Sequence, residues 1–483
     1  MMGQNRAAQL GKCNIIRPRP RQAQQEEAPV VTPYPLTDLG NAERLAAAHG
    51  AALRYFVQAG HWLHWTGARW ETDDTGVVQR RAQQVVRGIT AEAERLAGPA
   101  RDALLKHGWK SESAPRLQAM VEIARTLPEM PVTAEMLDRD PWLLNVRNGI
   151  LDLRTGFPQS HAPKMLLTKL APVTYDPEAR CPRWEQFLRE IFQEDAEVIA
   201  YVQRLVGYLL TGDTSEQAVI FLVGKGANGK SVFLETLRAL CGDYARSTPF
   251  STFLEKRGEA TNDLAALLGA RLVTASEVGD GQTFNTALLK QISGGDAVTC
   301  RFLHREFFTY TPAFKVLFAM NEVPRLDGTS YALRRRIQLL PFRQTFYAAQ
   351  EEREPRRDPE LGKKLRGELS GILNWAIIGA CDWLLDGLQP PRQVLDSTEA
   401  LFESFDPLAD FLEDACVREP NARVEVGVLW KAYGEWCEDN GRERAFKATH
   451  TFSRKLAQRE GIEALRCHQG RYLIGISLGR DAS

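Results

Sequence analysis

Eight consecutive residues constrain this chain more than any others: Gly224-Lys225-Gly226-Ala227-Asn228-Gly229-Lys230-Ser231. They satisfy GxxxxGK[ST] and stand between the apolar run AVIFLV and the segment SVFLETLRAL, so a strand feeds a tight turn and a helix leaves it. Such a turn is a phosphate cradle. Its glycines let backbone N–H groups wrap an anion, and the helix presents the positive end of its dipole. Lys230 is placed to neutralise β and γ phosphates, and Ser231 to offer a hydroxyl to a Mg2+ bridging them. Gly224, Lys225, Gly226, Ala227, Asn228, Gly229, Lys230, Ser231 and Val232 are therefore the candidate nucleotide-binding residues, with ATP or GTP and Mg2+ the implied cofactors.

A phosphate cradle alone does not separate a kinase, a GTPase and a motor, so the following strands carry weight. RLVTASE ends in Glu277, a carboxylate where an attacking water or the Mg2+ shell would lie, and KVLFAMN ends in Asn321, able to orient that water. Either alone reads equally as a solvated strand end; as an ordered set they point to catalysis. Arg334-Arg335-Arg336 precede the strand-like IQLLPF. One reading is an exposed charge cluster. The other is an arginine finger supplied in trans, which requires an oligomer.

At 483 residues the chain is long enough for about three folded units. Lys plus Arg and Asp plus Glu both number 61, so any nucleic-acid site is a local patch. The 8 cysteines contain no C-x2-C pair and fit reduced thiols. Without ~20 uninterrupted apolar residues or a signal-peptide core, the expected place is the cytoplasm, with no membrane partner.

The expected organisation is a disordered basic arm over 1–35, carrying Arg17, Arg19 and Arg21, then an α+β accessory domain over 36–180. An α/β ATPase core follows over 181–345, a helical connector over 346–400, and a winged-helix-like unit over 401–483. In HWLHWTGARW, Thr66-Gly67 separates two strand-like segments. Its aromatics read as a hairpin packed on a core, with a base-stacking platform from Trp62, Trp65 and Trp70 or a metal pair from His61 and His64 as sharper alternatives. LLNVRNGILDLRTG reads as a structural hairpin, and EEREPRRDPE as a solvated connector. In the tail, THTFSRKLAQREG reads as a helix with a cationic face, making Arg454 and Lys455 candidate DNA contacts; solubility or protein binding is the plainer alternative.

These residues resemble the superfamily 3 helicase domain of phage and plasmid primase-helicases and of the poxvirus primase-helicase. The likeness runs from about Ala42 to Phe342 through NGILDLRTG, RLVGYLLTGD, GKGANGKS, the Glu277 strand, LLKQISGGDAVTCRFLHREFFTYTPAFK, the Asn321 strand and ALRRRIQLLPF. It implies an AAA-like core, a homo-oligomer of hexameric type with ATP between subunits, and single-stranded or forked DNA in the pore. Carried over, Lys230 and Ser231 hold nucleotide and Mg2+, Glu277 is the acidic motor residue and a metal ligand, Asn321 is the polar sensor, and Arg335 or Arg336 is the finger. Arg301, His304 and Arg305 fall near the tip of the pore hairpin and Lys315 at its base, where cations hold phosphates without reading bases.

The sequence departs from the family where Ser330 and Arg334 replace an acidic residue and a Trp before the finger pair, so the finger is one of three arginines. A single Glu in the second strand leaves metal binding and water activation to share one carboxylate, with Ser276 or Asp263 assisting. Larger relatives carry a primase domain ahead of this module; about 40 residues precede the likeness here, so primer synthesis is expected from a separate primase or initiator protein. The expected function is an ATP-dependent DNA helicase for replication of a phage, plasmid or integrated element. The alternatives are an origin-binding or partner-binding ATPase that assembles without unwinding, and a P-loop kinase.

Overall fold

The computed structural model describes residues 34–255, 261–276, 283–324, 326, 331–348, 355–405, 408–441, 444–468 and 470–479. The arm expected over 1–35 lies almost wholly outside them, as does Glu277.

Unbroken apolar runs suit strands covered on both faces. VIFLV, LVTAS, KVLFAM and IQLLP become such strands in a five-stranded parallel sheet: Val219–Val223, Ala245–Ser247, Leu272–Ser276, Lys315–Met320 and Ile337–Pro341. Numbered along the chain, their edge-to-edge order is five, one, four, three, two. The first strand is thus internal, with Val219 paired to both Val316 and Ile337. The architecture is mixed α/β.

The sheet separates two cores. Ile220, Leu222, Leu317 and Leu340 pack with helices Pro182–Ile191, Ala196–Leu210, Lys230–Cys241 and Leu369–Asp386. Phe221 and Phe318 join Phe250, Phe253 and Phe284 on the other face, in stacked and edge-on pairs with centroids 5.0–5.6 Å apart. Such pairs add roughly 0.5–1.5 kcal/mol each beyond their burial.

Earlier segments join both cores. The hairpin Leu143–Val146 with Gly149–Asp152 sends Leu144, Val146 and Leu151 into the first. A four-stranded sheet, ordered Trp70–Thr72, His61–Trp65, Leu53–Phe56, Pro131–Val132, sends Phe56, Leu63, Trp70 and Val132 into the second. Helices Asp38–His49, Val77–Ala93 and Ala114–Ala124 cover its far side around Leu45, Val86 and Met120. Trp70 is buried, its Nε1 donating to Pro163 O at 2.8 Å, so it belongs to the core and not to a stacking platform.

Two cations lie inside. Arg271 donates to the carbonyls of Leu210 at 2.6 Å and Leu143 at 2.7 Å beneath the Tyr244 ring; Lys315 donates to Thr211 O at 2.5 Å beside the Tyr208 ring. Residues 210 and 211 end the Ala196–Leu210 helix, whose last carbonyls lack intrahelical donors and whose dipole favours positive charge.

The tail runs helix Ala409–Ala415, strand Arg423–Glu425, helices Val426–Asp439 and Thr449–Leu456, then strands Glu463–Cys467 and Gly470–Ile474. It closes its own core on Phe411, Tyr433 and Phe452. Among the described residues no helix is long and apolar enough to cross a membrane.

Candidate nucleotide site and cationic surfaces

After Val223 the chain turns through Gly226, Ala227 and Gly229, all at positive φ (72°, 48° and 86°), and enters the Lys230–Cys241 helix. Two glycines also make room. A Cβ on Gly224 would lie 2.3 Å from Phe342 O, and one on Gly229 2.7 Å from Ile191 Cγ2. The turn is therefore wedged between the fifth strand's end and the Pro182–Ile191 helix, with backbone N–H groups concentrated where the helix dipole is positive.

Lys230 Nζ donates to Gly224 O, to Met320 O at 3.1 Å and to Asn321 Oδ1 at 3.2 Å. The parallel pairing of the first and fourth strands brings Asn321 here from 91 residues away. Burial holds the Lys230 ammonium below the ordinary lysine pKa. Asn228 is buried, accepting from Lys230 N at 3.3 Å and reaching Phe342 O weakly at 3.5 Å.

A cleft of about 770 Å³ opens over this turn. Gly226 through Val232 and Asn321 form one wall; Gly224 and Lys225 lie outside its lining. The opposite wall was not foreseen from the sequence: Arg183, Phe346, the stretch 355–359 and Leu361. Phe346 N donates to Ala227 O at 2.7 Å, and Arg357 Nε to Phe346 O at 3.2 Å, tying the supposed solvated connector to the turn. The signal was present in Phe346 and Leu361, which flank the charge run, and in Pro355 and Pro359 within it. Of the assisting candidates, Ser276 is exposed at the end of its strand, and Asp263 accepts from Thr252 Oγ1 at 3.1 Å.

The arginine triplet is divided. Arg334 pairs with Glu399 at 2.8 Å and lies over the Phe402 ring. Arg336 is only 8% exposed and donates to Ala332 O at 2.7 Å; burial, then the charge of Arg335, lowers its pKa. Its guanidinium is engaged within its own subunit, which counts against its assignment as a finger. Arg335 is exposed.

Strands Val298–Cys300 and Phe308–Tyr310 pair antiparallel and carry an exposed tip with Arg301, His304 and Arg305. Arg301 lies 4.8 Å over the Phe307 ring, while Phe302 turns inward against Phe56. Lys315 is a second correction: at 2% exposure, held on Thr211 O, it is a core clamp and cannot touch DNA. A start-of-strand lysine gives no sign in sequence of such burial. Arg454 is exposed and Lys455 half-buried in the last turn of Thr449–Leu456.

Comparison with known proteins follows these elements closely. Residues 42–193 match the family described as D5 N terminal like, and 403–460 match one described as Poxvirus D5 protein-like. The chain is similar to the D5-like primase-helicase family in these segments. Between those two matches, 222–336 fit a family of unknown function, the stretch holding the glycine turn, Asn321 and the arginine triplet. A helicase-named protein of Acanthamoeba polyphaga mimivirus is 26% identical over 63% of this chain and 34% of its own length. One from Invertebrate iridescent virus 3 is 28% identical over 51% of this chain and 28% of its own. The D5-like module thus spans about a third of these relatives. The solved apo structure of the NrS-1 C terminal region aligns at 12% identity and a TM-score of 0.46, covering 80% of this chain and 76% of that one.

Proposed function

We propose that this D5-like module is an ATP-driven DNA helicase of the superfamily 3 type, built on an AAA-like P-loop core with a winged-helix-like tail. The observation that carries it is the meeting of Lys230, first residue of the helix that the glycine turn opens, with Asn321 at the end of the strand parallel to the one that enters that turn. Supporting it are the strand order five, one, four, three, two, the helicase names of the relatives, and the exposed cationic hairpin.

In this reading the backbone N–H groups of Gly226–Lys230 and the Lys230 ammonium bind the β and γ phosphates. The amine exchanges carbonyl oxygens for phosphate oxygens, which are stronger, charge-assisted partners. The Ser231 hydroxyl, exposed on the cleft wall, suits a Mg2+ that takes most of its ligands from phosphate and water. A Mg2+ held by Ser231 would supply neutralisation of the charge on the transferred phosphoryl group. Asn321 orients the attacking water, Glu277 serves as its acidic partner, and Arg335 of an adjacent copy stabilises the transition state. This last role makes the working state a ring-like oligomer, expected to be hexameric. Arg301, His304 and Arg305 hold single-stranded DNA through phosphates, and Arg454 and Lys455 contact duplex at the fork.

The test is ATP hydrolysis with and without single-stranded DNA, followed by displacement of a labelled strand from a fork, for the intact chain, Lys230→Ala and Arg301→Ala/His304→Ala. DNA-stimulated turnover that Lys230→Ala abolishes and the hairpin change uncouples is expected. Turnover indifferent to DNA, with no strand displaced, moves the reading to an ATPase that only assembles.

A further inference from the structure

The wall opposite the glycine turn combines an apolar slot with one guanidinium, that of Arg183. Phe346, Pro355, Pro359 and Leu361 line the slot. Arg183, at the start of the Pro182–Ile191 helix, lines the same cleft; its Nη2 donates to Glu190 at 3.2 Å, while Nη1 is buried and has no partner among the described residues. A guanidinium that lines a cleft beside an apolar slot can donate to a ligand held there. Phe187, one turn along the same helix, packs against the turn at Gly229, and Phe346 is bonded to Ala227, so slot and arginine are both fixed to the phosphate cradle.

We infer that this wall is the base subsite of the nucleotide, with the heteroaromatic ring held in the apolar slot and the Arg183 side chain set against the base edge. The inference rests on the nucleotide reading above and adds to it the residues that distinguish a nucleotide from bare polyphosphate. An apolar slot with one convergent donor suits a flat base, which offers two apolar faces and an edge of acceptor nitrogens. It does not suit a phosphate, for which Lys230 and the backbone N–H groups already supply the cradle. Glu190 and Asp358 complete the edge as acceptors. Asp358 stays ionised because the hydrogen bond from Lys364 leads the effects holding its pKa down, with the charge of Arg183 among them. These carboxylates favour a base edge that also carries an amino donor, as adenine does.

The experiment is calorimetric titration of the whole chain with Mg-ADP and, separately, with magnesium tripolyphosphate, for wild type, Arg183→Met, Phe346→Ala and Lys230→Ala. Thermal melts first confirm that each variant is folded. Arg183→Met and Phe346→Ala are each expected to weaken Mg-ADP by ~10-fold or more, the loss of one charge-assisted contact or one stacked ring, while leaving tripolyphosphate within about twofold. Lys230→Ala is expected to weaken both. Equal weakening of both ligands by Arg183→Met would make it a phosphate contact and overturn the proposal. So would unchanged ADP affinity in both wall variants, with Lys230→Ala still defective, and in that case the nucleotide reading survives. If the wild-type chain binds neither ligand, the nucleotide reading fails and the base subsite with it.

Discussion

Lys315 offers the sharpest separation between two roles for one residue. Replacing it with Met keeps most of the stem's volume and removes the amine, leaving Thr211 O at the end of a buried helix without its donor. An orphaned buried acceptor costs about 1–3 kcal/mol. Lys315→Ala also deletes roughly three methylenes at ~0.8 kcal/mol each and opens a cavity, for a total of about 3–5 kcal/mol. Urea titration followed by tryptophan fluorescence should show midpoints falling in the order wild type, Met, Ala, while folded variants bind single-stranded DNA as wild type does. Burial is the leading cause that holds the Lys315 pKa well below 10.5 in the fold, and the unfolded chain keeps its proton up to about that value. Across that window the unfolded state binds the extra proton, so this group's share of stability rises with pH and is complete above 10.5. A neutral amine still donates to Thr211 O. Lys315→Met should therefore flatten part of the pH slope. An unchanged urea midpoint for Lys315→Met, together with weakened, less salt-dependent DNA binding, would refute the clamp and restore the lysine to the DNA surface.

Gly224→Ala forces a Cβ to 2.3 Å from a backbone oxygen, whereas Gly226→Ala meets open space and bears only the strain of φ 72°, about 1–2 kcal/mol. Nucleotide titration should show the former losing affinity far more than the latter. Arg335→Ala is expected to lower turnover by on the order of 10³-fold or more with nucleotide affinity kept, and mixing with Lys230→Ala subunits should restore some activity at mixed interfaces. Arg334→Ala, which loses the Glu399 pair and the contact with the Phe402 ring, should stay within about fivefold, a loss of up to 1 kcal/mol; equal defects in the two variants would count against Arg335 as the finger.

What was legible in the sequence was local. The strand, glycine turn and helix around 219–241 could be read because their periodicity and glycine placement are decided within twenty-odd residues. The strand order could not, since nothing in KVLFAM or IQLLP says which neighbours flank the first strand. The order decides which polar strand end meets Lys230. The cleft's far wall was missed for a related reason: EEREPRRDPE is charged enough to read as solvent-facing, and only tertiary contact through Phe346 draws its flank over the turn. Arg336 and Lys315 were misread by the same rule, that charge means surface. Their partners are carbonyl oxygens, which leave no trace in side-chain composition.

Arg305 shows how a residue assigned to DNA also carries a structural contact, and how the two can be separated. A Cβ on Gly60 would lie 2.6 Å from the Arg305 guanidinium, so the hairpin tip rests on the turn between Leu53–Phe56 and His61–Trp65. Burial is the main cause lowering the His61 pKa, and the positive charge of Arg305 adds to it. Removing that charge should let the His61 pKa rise. Arg305→Ala is thus expected to do two things: reduce the salt slope of single-stranded DNA binding by about 0.7, the loss of one phosphate contact, and move the His61 titration upward in NMR. Arg301→Ala, whose guanidinium faces Phe307, should reduce the slope equally and leave His61 where it was. If Arg305→Ala changes the slope and His61 titrates as before, the tip does not rest on the N-terminal sheet in solution. If His61 shifts and the slope holds, Arg305 is a strut between the sheet and the hairpin, and DNA contact at the tip falls to Arg301 and His304.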